Sequence, residues 1–493
     1  MAETPDRSLF KSVLQSTGLY SIALLAQRVV GIVLLPVNTR FLSPSDYGVL
    51  ELLEQVGVVV SVLLGINLSA SLGYYFFETD TPDARRRVVG TTFVGSLVLG
   101  SIIGMLGAMF ARGISVLAFG NSQYELYLRI LFLSIPMSFL LEAAFSWVRI
   151  ENRATLYLVG SLLRALLTIV GTVIFVAWLQ WRIVGVLTTS ISAIVLVAVF
   201  LLVFYLRTYR PVFDSALFMR MLRFAIPLGL SNVAMIVIHF GDRFFLPRYR
   251  PMGDLGIYAV AYKIGMLISV IYSSFHTYWS AQVYQIVKRD DAEVVIARMF
   301  TYVMTGLSYC ALALTVAARP GLQILTAPSF HSAAALVPLI VGAYFVRSIG
   351  DFFRCFFLVA NRPEWDAACN WIGAAVCVTG YVVLIPRYGA WGAAGATGIA
   401  FFVISLVSLV WVHRLRPLSV EGGRLFKVFA VAGVLAAASL GIPMPNIPAE
   451  IAWAVFLLLC YPVLLMLLRF PTAGELGMVR SRIGSLTARL GYS

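Results

Sequence analysis

Six basic side chains, Arg28, Arg164, Arg243, Lys263, Arg347 and Arg354, fall inside stretches otherwise apolar enough to cross a lipid bilayer. An ionised side chain at mid-bilayer costs a few kcal/mol at least, so it normally faces a cavity or an opposite charge. Acids sit in the same stretches: Glu51, Glu54, Glu142, Asp242 and Asp351. Guanidinium forks match phosphate oxygens and stay charged in every setting. The chemistry these residues point to is electrostatic capture of an anion, with no bond made or broken.

Spacing sorts them. Arg347, Asp351 and Arg354 share one helical face, with Arg347 the most central. Glu51 and Glu54 stand one turn apart, and Glu54 lies about 12 Å inside its span at helical rise. Arg28 reaches a comparable depth in the preceding span, so the two are expected to pair, either as a cavity cation held by an acid or as a structural ion pair. Asp242 beside Arg243 near a span's outer end reads as a gate ion pair. Lys263 follows Tyr262 and is a candidate cavity cation. Arg164, two to three turns from a span's end, either snorkels or faces the cavity. Glu142 either couples an ion or pairs with a basic neighbour. His239 reads as a structural histidine, and Tyr272, Phe275, Tyr278 and Trp279 as membrane-interface anchors. The five cysteines (Cys310, Cys355, Cys369, Cys377, Cys460) are scattered in apolar runs without metal-ligand spacing, so no disulfide, metal or cofactor is expected.

These residues need spans to hold them. Hydrophobic residues make up 60% of the 493-residue chain and charged residues only 12%. No soluble fold this apolar covers its surface with polar groups. An all-α polytopic membrane protein is expected, with about fourteen spans near 15–38, 47–77, 89–111, 124–148, 155–179, 183–206, 218–241, 255–284, 296–318, 332–360, 367–385, 390–413, 426–442 and 449–468. The thirteenth is the weakest. The polar start lacks the pattern of a cleaved signal peptide. With both termini cytoplasmic, 23 of the 37 Lys and Arg fall in cytoplasmic segments, eight in outer ones and six in spans. The net charge of +14 is therefore mostly topology and not a nucleic-acid footprint. The loops are short and hold no inserted domain.

The chain also repeats itself. Arg40-Phe-Leu-Ser-Pro-Ser-Asp46-Tyr-Gly48 is echoed around Asp254 and Gly256, Asn152-Arg153 by Asn361-Arg362, and Gly185 by Gly392, at offsets of 208, 209 and 207. An even number of spans per offset implies two parallel six-helix lobes, 1–210 and 211–420. Two extra spans and a basic tail follow in 421–493.

The same anchors carry a resemblance. Val30-Gly-Ile-Val-Leu-Leu-Pro36 leading to Gly48, then Gly241-Asp242-Arg243 and Gly256-Ile-Tyr-Ala-Val-Ala-Tyr-Lys263, resemble hairpins of the oligosaccharide-lipid flippases in the polysaccharide transporter family, within the multidrug/oligosaccharidyl-lipid/polysaccharide exporter superfamily. Arg149-Ile-Glu-Asn-Arg153 is similar to a loop of that family. Pro247-Arg-Tyr-Arg-Pro251 departs from it, being more basic and proline-rich. The resemblance implies that the two lobes surround a central cavity, and it implies alternating-access flipping of an undecaprenyl-diphosphate-linked oligosaccharide, as in lipopolysaccharide assembly, across the inner (cytoplasmic) membrane. It also implies membrane lipids, and a polysaccharide polymerase with chain-length machinery, as partners. An ion-coupled multidrug exporter is the alternative, and a sugar polymerase or ligase a more distant one. The substrate-binding set is then Arg28, Lys263, Arg347, Arg164 and Arg354, with Glu51, Glu54, Glu142 and Asp351 as charge partners or coupling groups.

Overall fold

The computed structural model describes residues 19–20, 22–23, 26–27, 29–209, 212–416, 419–442 and 444–471. Arg28 and its expected pairing with Glu54 lie outside them. Among the described residues the chain is helical throughout, with no strand. That follows from the solvent: a bilayer offers no hydrogen bonds, so each spanning backbone must satisfy itself.

Among the described residues, eleven helices are long and apolar enough to cross a membrane. A bent pair, Pro328–Ala335 and Val337–Val359 at 44°, makes twelve if counted as one span. The expected fourteen is not reached at two stretches. The first is described only as the short apolar helix α1, Val29–Phe41. The seventh is broken into α8 (Ser215–Ser231) and α9 (Val233–Phe245), each under 18 residues. Pro227 inside α8 removes a backbone donor near the break. Asn232 sits between the pieces and reaches Asn67 Oδ1 at 3.4 Å. The thirteenth stretch does form a full helix, Gly422–Gly441.

The chain divides into two compact units, one of Met1–Val260, Leu325–Phe330 and Ala374–Thr397, the other of Ala261–Ile324, His331–Gly373 and Gly398–Ser493. The first unit holds α2 (Pro44–Glu78), α3 (Pro82–Met109), α4 (Ala111–Phe119), α5 (Glu125–Ile150), α6 (Ala154–Trp178) and α7 (Arg182–Thr208). Its core is aromatic: Phe93 stacks on Tyr205 at 4.3 Å, and the fully buried Trp147 meets Tyr205 edge-on. Helix α10 (Met252–Ile286) begins in this unit and ends in the other. The second unit adds α11 (Ala292–Leu325), α12 (Val337–Val359), α15 (Gly422–Gly441) and α16 (Ile447–Leu467). Helices α13 (Pro363–Tyr388) and α14 (Ala390–Leu415) contribute to both.

The sequence repeat has a backbone counterpart. Asn152 and Asn361 both adopt left-handed φ, 54° and 55°. In each case the helix closes with the same ladder: Arg153 N to Val148 O and Asn152 N to Arg149 O, then Arg362 N to Phe357 O and Asn361 N to Leu358 O. This is the Schellman end of a helix, with Asn in the place where Gly is usual. Gln180 and Gly389, also 209 apart, share a left-handed φ as well.

Trp279 and Tyr272 correct an expectation. Both are buried in the second unit's core, not set at an interface. The Trp279 ring stacks on Phe352 at 4.5 Å and its indole N–H donates to the Phe352 carbonyl. Tyr278, on another face of the same helix, is exposed.

Candidate functional site

The first unit holds a buried charge cluster, and the local sequence explains how. Helix α2 starts at a capping box: Asp46 Oδ2 accepts from Ser43 N at 3.0 Å and Ser43 Oγ accepts from Asp46 N at 3.2 Å. Arg182 also grips Asp46, at 2.5 Å. One turn on, Gly48 meets α10 at Gly256. A Cβ on Gly48 would strike the Met252 carbonyl, and one on Gly256 would strike the Pro44 carbonyl. The contact is reciprocal, since each carbonyl lies four residues before the facing glycine. Only glycine permits this approach.

That crossing brings Glu51 of α2 and Tyr258 of α10 to the end of α9. Arg243 Nε donates to Glu51 Oε1 at 2.7 Å, and its Nη1 to Asp242 Oδ1 and the His239 carbonyl, both at 2.9 Å. The Tyr258 hydroxyl donates to Asp242 Oδ2 and Gln55 Nε2 to Glu51 Oε1. Glu51, Asp242 and Arg243 are all buried. The expected Asp242–Arg243 pair is thus present, with Glu51 as a third member. This group ties α2, α9 and α10 together.

The second unit places the other cluster along α12 and α13. Arg347 Nε donates to Asp351 Oδ2 at 3.1 Å. Arg354 is held by three partners: Asp351 Oδ1 at 3.3 Å, Asp366 Oδ1 at 2.7 Å and Asn370 Oδ1 at 2.9 Å. Asp366 and Asn370 are contributions that spacing within one helix does not reveal. The Arg347 guanidinium lies 5.3 Å over the Phe401 ring, a cation–π contact that braces the plane of its fork. Near this group Cys355 Sγ lies 3.5 Å from His276 Nε2, and the buried Tyr272 hydroxyl has no hydrogen-bond partner among the described residues.

The remaining candidates are placed separately. Lys263 is half-buried on α10, directly after Tyr262, whose hydroxyl accepts from Tyr344 at 3.1 Å. Arg164 on α6 and Glu142 on α5 are half-buried, and Glu54 is exposed. Among the described residues no three His, Cys, Asp or Glu side chains gather as metal ligands.

Helix α2 carries one more irregularity, ten residues beyond Glu51. Its Ser61–Gly65 turn is a π segment, which frees backbone carbonyls. Asn67 Nδ2 donates to two of them, Val62 O at 2.5 Å and Leu63 O at 3.2 Å.

This fold is shared with known transporters. Over 90% of this chain and 98% of the other, it resembles the lipid II flippase MurJ in an inward closed conformation, with a TM-score of 0.74 and 14% identity. A multidrug resistance transporter of the MATE family, inward-facing and of the MOP superfamily, is similar over 82% of this chain and 98% of its own, with a TM-score of 0.66 and 16% identity. A MATE structure in the bent conformation gives 0.54 and 14% identity over 86% of this chain and 97% of that one. The class is therefore a multi-pass membrane protein of the MurJ and MATE fold. No curated protein matches the chain. Residues 13–279, more than half of it, match the polysaccharide biosynthesis protein family, and the chain belongs to that family.

Proposed function

We propose that this protein is an alternating-access flippase that carries an undecaprenyl-diphosphate-linked oligosaccharide from the cytoplasmic to the outer leaflet. The observation that carries the reading is a family whose business is polysaccharide biosynthesis joined to arginines held inside apolar helices. A diphosphate crossing the hydrocarbon layer needs cations already built into the protein's own structure, and Arg347 is held in place there by Asp351 at 3.1 Å. Arg28, Lys263 and Arg347 are the proposed headgroup ligands, with Arg164 and Arg354 beside them. Asp242, Arg243 and Glu51 are the outer lock, and Glu54 and Glu142 the candidate coupling acids.

Two parallel lobes, 1–210 and 211–420, are the proposed moving parts, and the repeated helix ends at Asn152 and Asn361 support that duplication. The two helices α15 and α16 follow them. The inner membrane, cytoplasmic termini and contacts with a polymerase and chain-length machinery belong to the same proposal. Complementation of a flippase-deficient strain tests it: alanine at Arg28 and Arg347 together should abolish rescue while expression persists. Full rescue would sink the role of these cations.

The MATE likeness keeps a second reading in view, an ion-coupled drug exporter. Cationic drugs call for acids in the binding region. Here basic residues outnumber acids within the spans, which favours the anionic cargo.

A further inference from the structure

A cavity of about 550 Å³ opens at one end of the first unit, where α2, α5 and α7 finish and α3 and α6 start. Three arginines line it: Arg85, Arg86 and Arg153. The carboxylate that lines it is already engaged. Arg153 Nε lies 2.8 Å from Glu151 Oε2, and the Tyr209 hydroxyl donates to Glu151 Oε1 at 2.6 Å. Burial, then the Glu151 bond, push the Tyr209 hydroxyl above its ordinary range, so it stays a neutral donor.

The guanidiniums are held from behind. Arg85 Nε donates to the Thr79 carbonyl at 3.0 Å while its head lies 5.2 Å over Phe76. Arg86 sits 5.8 Å over Tyr209 and meets the exposed Asp83 at 3.2 Å. Arg153 lies 5.1 Å over Trp147. Each contact takes one or two of five N–H donors and leaves the rest for a ligand. Three helix C-termini and two N-termini meet here, so their dipoles largely offset and the arginines carry the positive field. Pro82, the first residue of α3, lines the cavity. Helix α6 begins right after Asn152 and Arg153, and the Arg153 side chain does not cap its first turn.

Topology explains why basic residues lie in these loops, but the positive-inside rule needs only their number. It does not need three of them to converge on one cavity with ring-braced heads. The volume is in the range of small-ligand sites. We propose that this cavity binds a phosphate or diphosphate group through Arg85, Arg86 and Arg153, at the level where lipid headgroups lie. The inference stands on the cavity and its arginines and not on the cargo proposed above.

Two arms separate the sources of such a group. Full-length protein in detergent is titrated calorimetrically with inorganic pyrophosphate. The same protein in phosphatidylcholine nanodiscs, with or without phosphatidylglycerol, is probed by native mass spectrometry for retained lipid. The wild type is expected to bind in at least one arm, and Arg85→Ala with Arg153→Ala to weaken that binding by about tenfold or more. Arg86→Ala, at an exposed side chain, should weaken it less and leave folding intact. If the double variant unfolds, the Arg86→Ala measurement decides between the outcomes. Pyrophosphate binding points to a soluble ligand or a lipid-linked diphosphate. Phosphatidylglycerol retention alone points to membrane lipid. No binding in either arm, or binding that neither variant diminishes, overturns the proposal.

Discussion

Arg243 is buried with two carboxylates against it, and removing the arginine strands both acids where water cannot reach. Breaking a buried pair from one side typically costs roughly 3–5 kcal/mol, more than the pair itself contributes. Arg243→Ala should therefore lower the unfolding temperature in detergent sharply, whereas Glu51→Gln, which leaves Arg243 paired with Asp242, should cost much less. Equal loss in both would mean the cluster acts through packing alone. At the other cluster, Arg347→Ala is expected to abolish transport with little effect on folding, and Arg347→Lys to retain only part of it, because the ammonium keeps the charge but not the planar fork. Transport assays beside melting curves separate the two. The sequence shows these residues as charges out of place, and i, i+4 spacing alone predicts the Arg347–Asp351 pair. It does not show that Glu51 meets Arg243 from 192 positions away, nor that Asp366 and Asn370 complete the hold on Arg354. Those partners come from other helices, and periodicity within one helix carries no information about its neighbour.

Helices meet as closely as their smallest residues allow. At Gly256 an added methyl would run into the backbone carbonyl of Pro44, which cannot rotate away as a side chain can. Gly256→Ala should push α10 from α2, loosen the Glu51–Arg243 contact and cost roughly 1–3 kcal/mol. Gly306→Ala, where an added methyl meets open space, is the matched control and should be neutral or mildly stabilising. Thermal unfolding of the two variants compares them directly. Asn152 poses a similar question for the backbone. Asn152→Gly should be tolerated at its φ of 54°, while Asn152→Val should destabilise by roughly 1–2 kcal/mol. The spans themselves were legible from apolar runs of about the right length. The break at Asn232, the bend before α12 and the π turns of α2 and α6 were not, because each depends on a side chain or proline re-routing backbone bonds inside a run that stays uniformly apolar.

At the scale of the whole molecule, the chain is a multi-pass membrane protein of the polysaccharide biosynthesis family with the MurJ and MATE fold. Composition made the membrane plain, and the proposed repeat was legible in its loops, since polar loop residues mark register where apolar spans look alike. The proposed cargo rests on the cations inside the spans. The most direct measurement reconstitutes the purified protein in liposomes with a fluorescent undecaprenyl-diphosphate-linked oligosaccharide and follows its appearance on the opposite leaflet. The account predicts flipping by the wild type, little or none by Arg347→Ala at equal protein, and inhibition by excess unlabelled lipid-linked diphosphate. A wild type that fails to move this lipid, or an Arg347→Ala variant that moves it at full rate, would contradict it.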